Sequence, residues 1–96
     1  MLLNKDNVTL EDYLETYKTR ITQESEIIFV QDFLFPLLGK KHIKYVVPQY
    51  SFIDSEGRAR RIDFGILYDG QKIALEVNGE TYHAEGIIPM RISMIT

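Results

Sequence analysis

The sequence predicts one small α/β domain of 96 residues, in which two helices precede three β-strands. Up to about residue 38, apolar residues recur every three or four positions, the period of an amphipathic helix. From Ile43 onward the chain is rich in β-branched and aromatic residues, which favour strands. Asp69-Gly70 lies between two such runs and is typical of a tight β-hairpin turn. The predicted order is therefore αα-βββ.

Both helices have readable ends. Thr9 is followed three residues later by Asp12, a weak form of the capping box that begins a helix. The second helix is predicted from Thr22 or Gln23 to just before Gly39, a good C-terminal cap. Within it, Pro36 lacks a backbone N–H and is expected to kink or end the last turn.

Three strands follow the helices. The first contains Pro48, which indicates an edge strand or a break, and residues 54–57 read as the turn after it. The second strand is predicted over Arg60 to Tyr68 and the third over Gln71 to Asn78.

Composition narrows the class of protein. Hydrophobic residues make up 45% and charged residues 26%, an ordinary globular mixture. The chain has no cysteine, which excludes disulfides and thiolate zinc sites. Its longest apolar run, residues 33–39, is too short to span a bilayer, and no signal peptide is apparent. We therefore expect a cytoplasmic protein.

Charge is unevenly distributed along the chain. The net charge is −3, but residues 33–61 hold six basic and two acidic side chains, a local charge of +4. The flanking segments, residues 1–32 and 62–96, are both acidic. This pattern is compatible with cations and carboxylates around one site, and equally with scattered surface charge.

The hairpin places two acids together. If Asp69 and Gly70 form a two-residue loop, the numbers of paired residues add up to 139, and Asp63 lies opposite Glu76. Like charges about 5 Å apart are destabilising unless they are neutralised. A divalent ion such as Mg²⁺ or Mn²⁺ would neutralise them, and so would a salt bridge. The candidate partners for a salt bridge are Arg60, Arg61 and Lys72.

The same alternation predicts a buried apolar face on this hairpin. Side chains two residues apart along a strand share a face. The residues predicted to be buried together are Ile62, Phe64, Ile66, Tyr68, Ile73, Leu75 and Val77.

At this point the chain resembles a known family. Asp63, followed thirteen residues later by Glu76-Val77-Asn78 and then by Gly79 and His83, resembles the core of the PD-(D/E)XK nucleases. The likeness is to the very-short-patch-repair-like branch of that restriction-endonuclease-like superfamily. Gln49-Tyr50 and the run from Arg60 to Phe64 also resemble this branch, and the match covers about residues 22–85.

The resemblance implies helices packed on a small mixed sheet and a metal-dependent DNA endonuclease that hydrolyses phosphodiester bonds. Asp63 and Glu76 would hold Mg²⁺ or Mn²⁺, with Glu26 as a third acid from the helix; Glu26 is also placed to complement the helix dipole. The family's usual lysine is replaced here by Asn78, which can orient water or bind metal but cannot act as a base. His83 is a candidate for proton transfer, or else a packing histidine.

Basic residues supply candidate DNA contacts, with Tyr45 or Tyr50 adding base stacking. For the lysines a solvated loop is the alternative, and Arg61 could instead neutralise Asp63 or Glu76. The candidate phosphate contacts are Lys40, Lys41, Lys44, Arg58, Arg60 and Arg61.

The apolar tail from Gly86 to Thr96 is expected to pack on the sheet, on another copy of the chain or on further residues of a longer parent. Family resemblance implies a parent such as a helicase or another DNA-processing enzyme, and a homodimer is the other partner considered. Two further functions stay open. One is an inactive nuclease fold that only binds nucleic acid, and the other is a protein-interaction domain.

Overall fold

The computed structural model of the protein describes residues 2–77 and 90–95. By its internal contacts the chain divides into two compact units, Met1–Tyr45 and Val46–Thr96. The first unit holds the helices and the second holds a β-sheet. The boundary coincides with the change from helical to strand-forming sequence, as the sequence predicts.

In the helical unit, helix α1 covers Leu10–Thr16. Thr9 caps it as predicted, because the Asp12 backbone N–H donates to the Thr9 hydroxyl at 3.1 Å. Tyr13 faces the core of this unit and is fully buried. Short 3₁₀ turns at Leu2–Asn4 and Ile43–Tyr45 lie near the two ends of the unit.

The second predicted helix is present but irregular. Helix α2 covers Glu24–Phe29, a π-helical stretch covers Val30–Leu34, and helix α3 covers Phe35–His42. Gly39 leaves helical geometry within α3, at φ 75° and ψ −177°, as expected for a residue that ends a regular run. The distortion expected near Pro36 takes the form of the π-helical stretch just before it.

The second unit is a four-stranded antiparallel sheet in the order β1-β2-β3-β4. The expectation of a mixed sheet is wrong for the described strands. Short turns join β1 to β2 and β2 to β3, and a short turn can connect only antiparallel neighbours. The strands are β1 Val46–Ile53, β2 Ala59–Tyr68, β3 Gln71–Val77 and β4 Met90–Met94.

The β2–β3 hairpin has the predicted register. Its paired residues run from Tyr68 and Gln71 to Phe64 and Leu75, and each pair adds up to 139. Asp69 and Gly70 have φ values of 52° and 74°, the two positive values that a type I′ turn requires. The Asp-Gly signal therefore predicted both the turn and the alignment of the strands.

Turn 54–58 joins β1 to β2. The Asp54 carboxylate accepts the backbone N–H groups of Glu56 and Arg58, at 3.0 and 2.9 Å. Gly57 supplies a positive φ of 80°. Pro48 lies on β1, an edge strand of the described sheet, which confirms the edge position that its missing N–H predicts.

Burial in the sheet is less one-sided than predicted. On the predicted apolar face, Ile62, Phe64 and Leu75 are buried, but Tyr68 is 54% exposed. The paired residues Gly65 and Ala74, from the predicted polar alternation, are buried as well. The hairpin is therefore covered on both faces near its middle.

The apolar tail pairs with the sheet. Strand β4 is hydrogen-bonded to β3, with Ile92 opposite Leu75. This confirms one of the three expected arrangements of the tail. Ile92 and Met94 nevertheless remain 59% and 57% exposed, so pairing covers the backbone of the tail better than its side chains.

Candidate functional site

Asp63 and Glu76 lie on the neighbouring central strands β2 and β3, each next to the last residue pair of the hairpin, Phe64 and Leu75. Both acids are half-buried. On its other side, Glu76 is paired with Arg91 of β4. The structure therefore places the two predicted acids side by side at the point where the β2–β3 ladder ends.

Asp63 is held by the backbone of the opposite strand. Its Oδ2 atom accepts the backbone N–H of Val77 at 2.8 Å, in a part-buried position. A carboxylate that takes a ladder N–H in this way inserts between two strands and fixes its own orientation. Sequence alternation alone predicts a side chain perpendicular to the sheet and misses this contact.

The second oxygen of Asp63 is accessible. Within the described residues, Asp63 forms no ion pair, and Oδ1 has no hydrogen-bond partner. No buried side-chain oxygen of those residues lacks a partner, so Oδ1 must be open to solvent. A fixed carboxylate with one anchored and one open oxygen is suited to binding a hard cation.

The cations proposed to neutralise Asp63 behave differently from one another. Arg60 is ion-paired with Asp54 at 3.6 Å. Arg61 and Lys72 are exposed and form no ion pair within the described residues. For Asp63, the salt-bridge alternative thus has no support from these three side chains.

A feature of this region that sequence reasoning missed is Gln49. It lies inside β1 with a positive φ of 52°, and it is half-buried. Positive φ is uncommon for any residue other than glycine, and strand-forming sequence around Gln49 gives no sign of it. Only the coordinates reveal that β1 is distorted here.

Glu26 belongs to the helical unit. It lies in the first turn of α2 and is 7% exposed, whereas Glu24 is exposed. The helical alternation therefore correctly predicted which glutamate faces inward. Asn78 and His83, the other two candidate site residues, lie outside the described residues.

The predicted phosphate contacts fall into two groups. Lys44 donates to the Lys5 carbonyl at 2.8 Å, and Arg58 pairs with Asp54 and Glu56 at 3.3 and 3.0 Å. Like Arg60, these side chains are engaged by the protein itself. The exposed cations without an ion pair in the described residues are Lys40, Lys41 and Arg61.

Asp54 has a structural role in holding these arginines. Backbone donation from Arg58, followed by donation from Glu56 and the nearby guanidinium groups, lowers the pKa of Asp54 below its usual range. The sequence signal for this role is the Asp-x-x-Gly turn itself. We therefore assign Arg58 first to the turn.

Three or more His, Asp or Glu side chains arranged to hold a metal ion are not found among residues 2–77 and 90–95. In the same residues, none of the helices is both long and apolar enough to cross a membrane. Comparison with known proteins finds no matching family model, no similar curated protein and no similar solved structure.

Proposed function

We propose that this chain is a metal-dependent DNA endonuclease domain that hydrolyses phosphodiester bonds, built on a restriction-endonuclease-like core. The observation that carries the proposal is the Asp63 carboxylate, fixed by the Val77 N–H beside Glu76, with one oxygen open to solvent. Two acids on adjacent strands repel each other, and a shared Mg²⁺ or Mn²⁺ would convert that repulsion into binding energy.

The residues present fit such an ion in their chemistry. Mg²⁺ and Mn²⁺ prefer carboxylate oxygens and retain several waters, so two protein carboxylates are enough to hold one. In this proposal Asp63 and Glu76 are the ligands, and Glu26 completes or supports the site. When bound, the ion would polarise the scissile phosphate and lower the pKa of a coordinated water.

The chain's own residues would do the remaining work. Asn78 would orient water through its amide, and His83 would carry the proton that the missing family lysine cannot. Lys40, Lys41 and Arg61 would bind phosphates, since they are the exposed candidate cations without an ion pair in the described residues. Lys44, Arg58 and Arg60 would contribute less, because each is already engaged by the protein.

Metal binding gives the first test. Calorimetry with Mn²⁺ should show binding to the wild-type chain and little or none to Asp63→Asn or Glu76→Gln. Asp63→Asn keeps an oxygen that can accept the Val77 N–H, so its effect reports the lost charge rather than a lost strand contact. Asp69→Asn is the matched control, because Asp69 is an exposed acid in the same hairpin and Asn-Gly suits its turn.

Negligible heats for wild type, Asp63→Asn and Asp69→Asn alike would remove the metal site. Equal binding by all three would show that the ion is held elsewhere.

Cleavage gives the second test. Nicking of supercoiled plasmid should require Mg²⁺ or Mn²⁺ and should be abolished by Glu76→Gln. We expect His83→Ala to slow nicking by about 10²- to 10⁴-fold, the effect of a lost acid–base group. Wild-type rates in His83→Ala would exclude proton transfer by the histidine, and full activity in Glu76→Gln would exclude the site.

A nuclease fold that binds nucleic acid without cutting it is a second candidate, and Asn78 in place of the family lysine favours it. It predicts metal and DNA binding without nicking. In that case Asn78→Lys should restore detectable nicking, while Asn78→Gln should not.

A further inference from the structure

Gln49 has a backbone conformation that its position does not require. Within the described residues, the two non-glycine residues with positive φ are Gln49 and Asp69. Asp69 occupies a type I′ turn, which demands that conformation. Gln49 lies in the interior of β1, with paired residues on both sides of it, so no chain reversal accounts for its geometry.

The distortion is confined to one position on each of two strands. From Val46 to Pro48, β1 pairs with β2 in a register whose residue numbers add up to 112, and the same sum holds again from Tyr50 onward. No residue is inserted, but the partners Gln49 and Asp63 are absent from the ladder. Gln49 therefore lies opposite Asp63 in the register.

The break in the β1–β2 ladder coincides with the end of the β2–β3 ladder. Asp63 is left out of regular pairing with β1, and it uses its carboxylate to bond Val77 of β3. Sheet geometry is thus relaxed on both sides of the same acid. Strands in a sheet lie about 4.8 Å apart, which puts the residue opposite Asp63 in its immediate neighbourhood.

Glutamine is a poor choice for this conformation on structural grounds alone. A residue with a Cβ is disfavoured at positive φ, and glycine adopts it without that penalty. Strained residues of this kind persist where the side chain has a use that outweighs the strain. A carboxamide also supplies a neutral oxygen of the type that binds Mg²⁺, Mn²⁺ or their coordinated waters.

We infer that Gln49 is a third binding residue of the Asp63 site, whose carboxamide oxygen binds a hydrated divalent cation, directly or through a coordinated water. The inference rests on the proposed function, because it assigns Gln49 to the same ion. It makes the site a row of neighbouring residues across β1, β2 and β3, formed by Gln49, Asp63 and Glu76.

Gln49→Gly separates a binding role from a structural one, since glycine accepts the backbone conformation and removes the carboxamide. We expect its affinity for Mn²⁺ to fall by about 10- to 100-fold, the usual loss when a supporting group of a metal site is removed. In metal-free buffer its thermal midpoint should match or exceed that of wild type, because strain is relieved. Gln49→Glu should bind Mn²⁺ at least as tightly as wild type, since affinity rises with ligand charge.

Ser51→Gly is the matched control. Ser51 lies two residues further along β1, is exposed, and is regularly paired with Arg61. Glycine should lower its thermal midpoint, as glycine does in a regular strand, and leave Mn²⁺ affinity unchanged.

Wild-type affinity in Gln49→Gly, measured while the wild-type chain itself binds Mn²⁺, would overturn the inference and leave the proposed function standing. A lower midpoint in Gln49→Gly with unchanged affinity would assign the side chain to the fold and overturn it equally. Absence of Mn²⁺ binding in wild type would overturn the proposed function and this inference together.

Discussion

Gly65 is closely covered by the side chain of Tyr50, and this contact makes a sharp prediction for Gly65→Ala. A Cβ built on Gly65 would lie 2.9 Å from Cγ and Cδ2 of Tyr50 and 3.0 Å from its Cβ. Carbon atoms in ordinary contact are about 3.5 to 4.0 Å apart, so the added methyl overlaps three atoms at once. These atoms belong to the base of the tyrosine side chain, which cannot move without a rotation about χ1 or a shift of the strand.

The expected cost follows from two opposing effects. Overpacking a filled site costs about 1–3 kcal/mol. Alanine is intrinsically better than glycine in a strand by about 0.5–1 kcal/mol, which offsets part of that cost. We therefore expect Gly65→Ala to lower the free energy of unfolding by about 0.5–2 kcal/mol, measured by urea denaturation followed by circular dichroism.

A double-mutant cycle tests the stated cause. In a Tyr50→Ala background the two nearest atoms are gone, so Gly65→Ala should cost less there by about 1 kcal/mol. An equal cost in both backgrounds would refute the steric argument. A Gly65→Ala variant as stable as wild type would show that Tyr50 moves aside freely.

Three further predictions concern stability. Thr9→Ala should cost about 1 kcal/mol, because it removes the cap of α1, and thermal unfolding checks it. Gly39→Ala should cost about 1–3 kcal/mol by urea denaturation, because φ 75° with ψ −177° is open essentially to glycine alone. The pKa of Asp54 is lower in the folded state than its unfolded value of about 3.9. Its stabilisation is therefore present above that value and lost as pH falls through the folded pKa. Asp54→Asn should be less stable at pH 7 and flatter in acid, as denaturation at several pH values would show.

Local signals predicted most of the regular structure. The Thr9 cap, the boundary near Gly39, the edge position of Pro48 and the register of the Asp69-Gly70 hairpin all follow from rules that act over a few residues. Such rules work here because each is enforced by one backbone hydrogen bond or one permitted φ.

Long-range features were beyond the sequence. Alternation placed Asp63 on one face of a regular strand, but its carboxylate bonds the Val77 N–H instead. Nothing in the residues around Gln49 indicates a positive φ, because that conformation depends on what the neighbouring strand requires. The candidate site was therefore predicted at the level of which acids adjoin, and missed at the level of how the strands bend to hold them.

Pro48 and Gln49 have a consequence for the behaviour of the chain in a crowded solution. An edge strand offers a row of free amides on which another polypeptide can extend the sheet, the first step of aggregation. On β1, a proline without an N–H is followed at once by a residue that leaves the extended conformation, so the row is interrupted at mid-strand. Strand β4 contains no proline between Met90 and Met94, and it presents Ile92 and Met94 to solvent. Of the two edges of the described sheet, β1 is thus the guarded one, and unwanted growth by strand addition should start at β4.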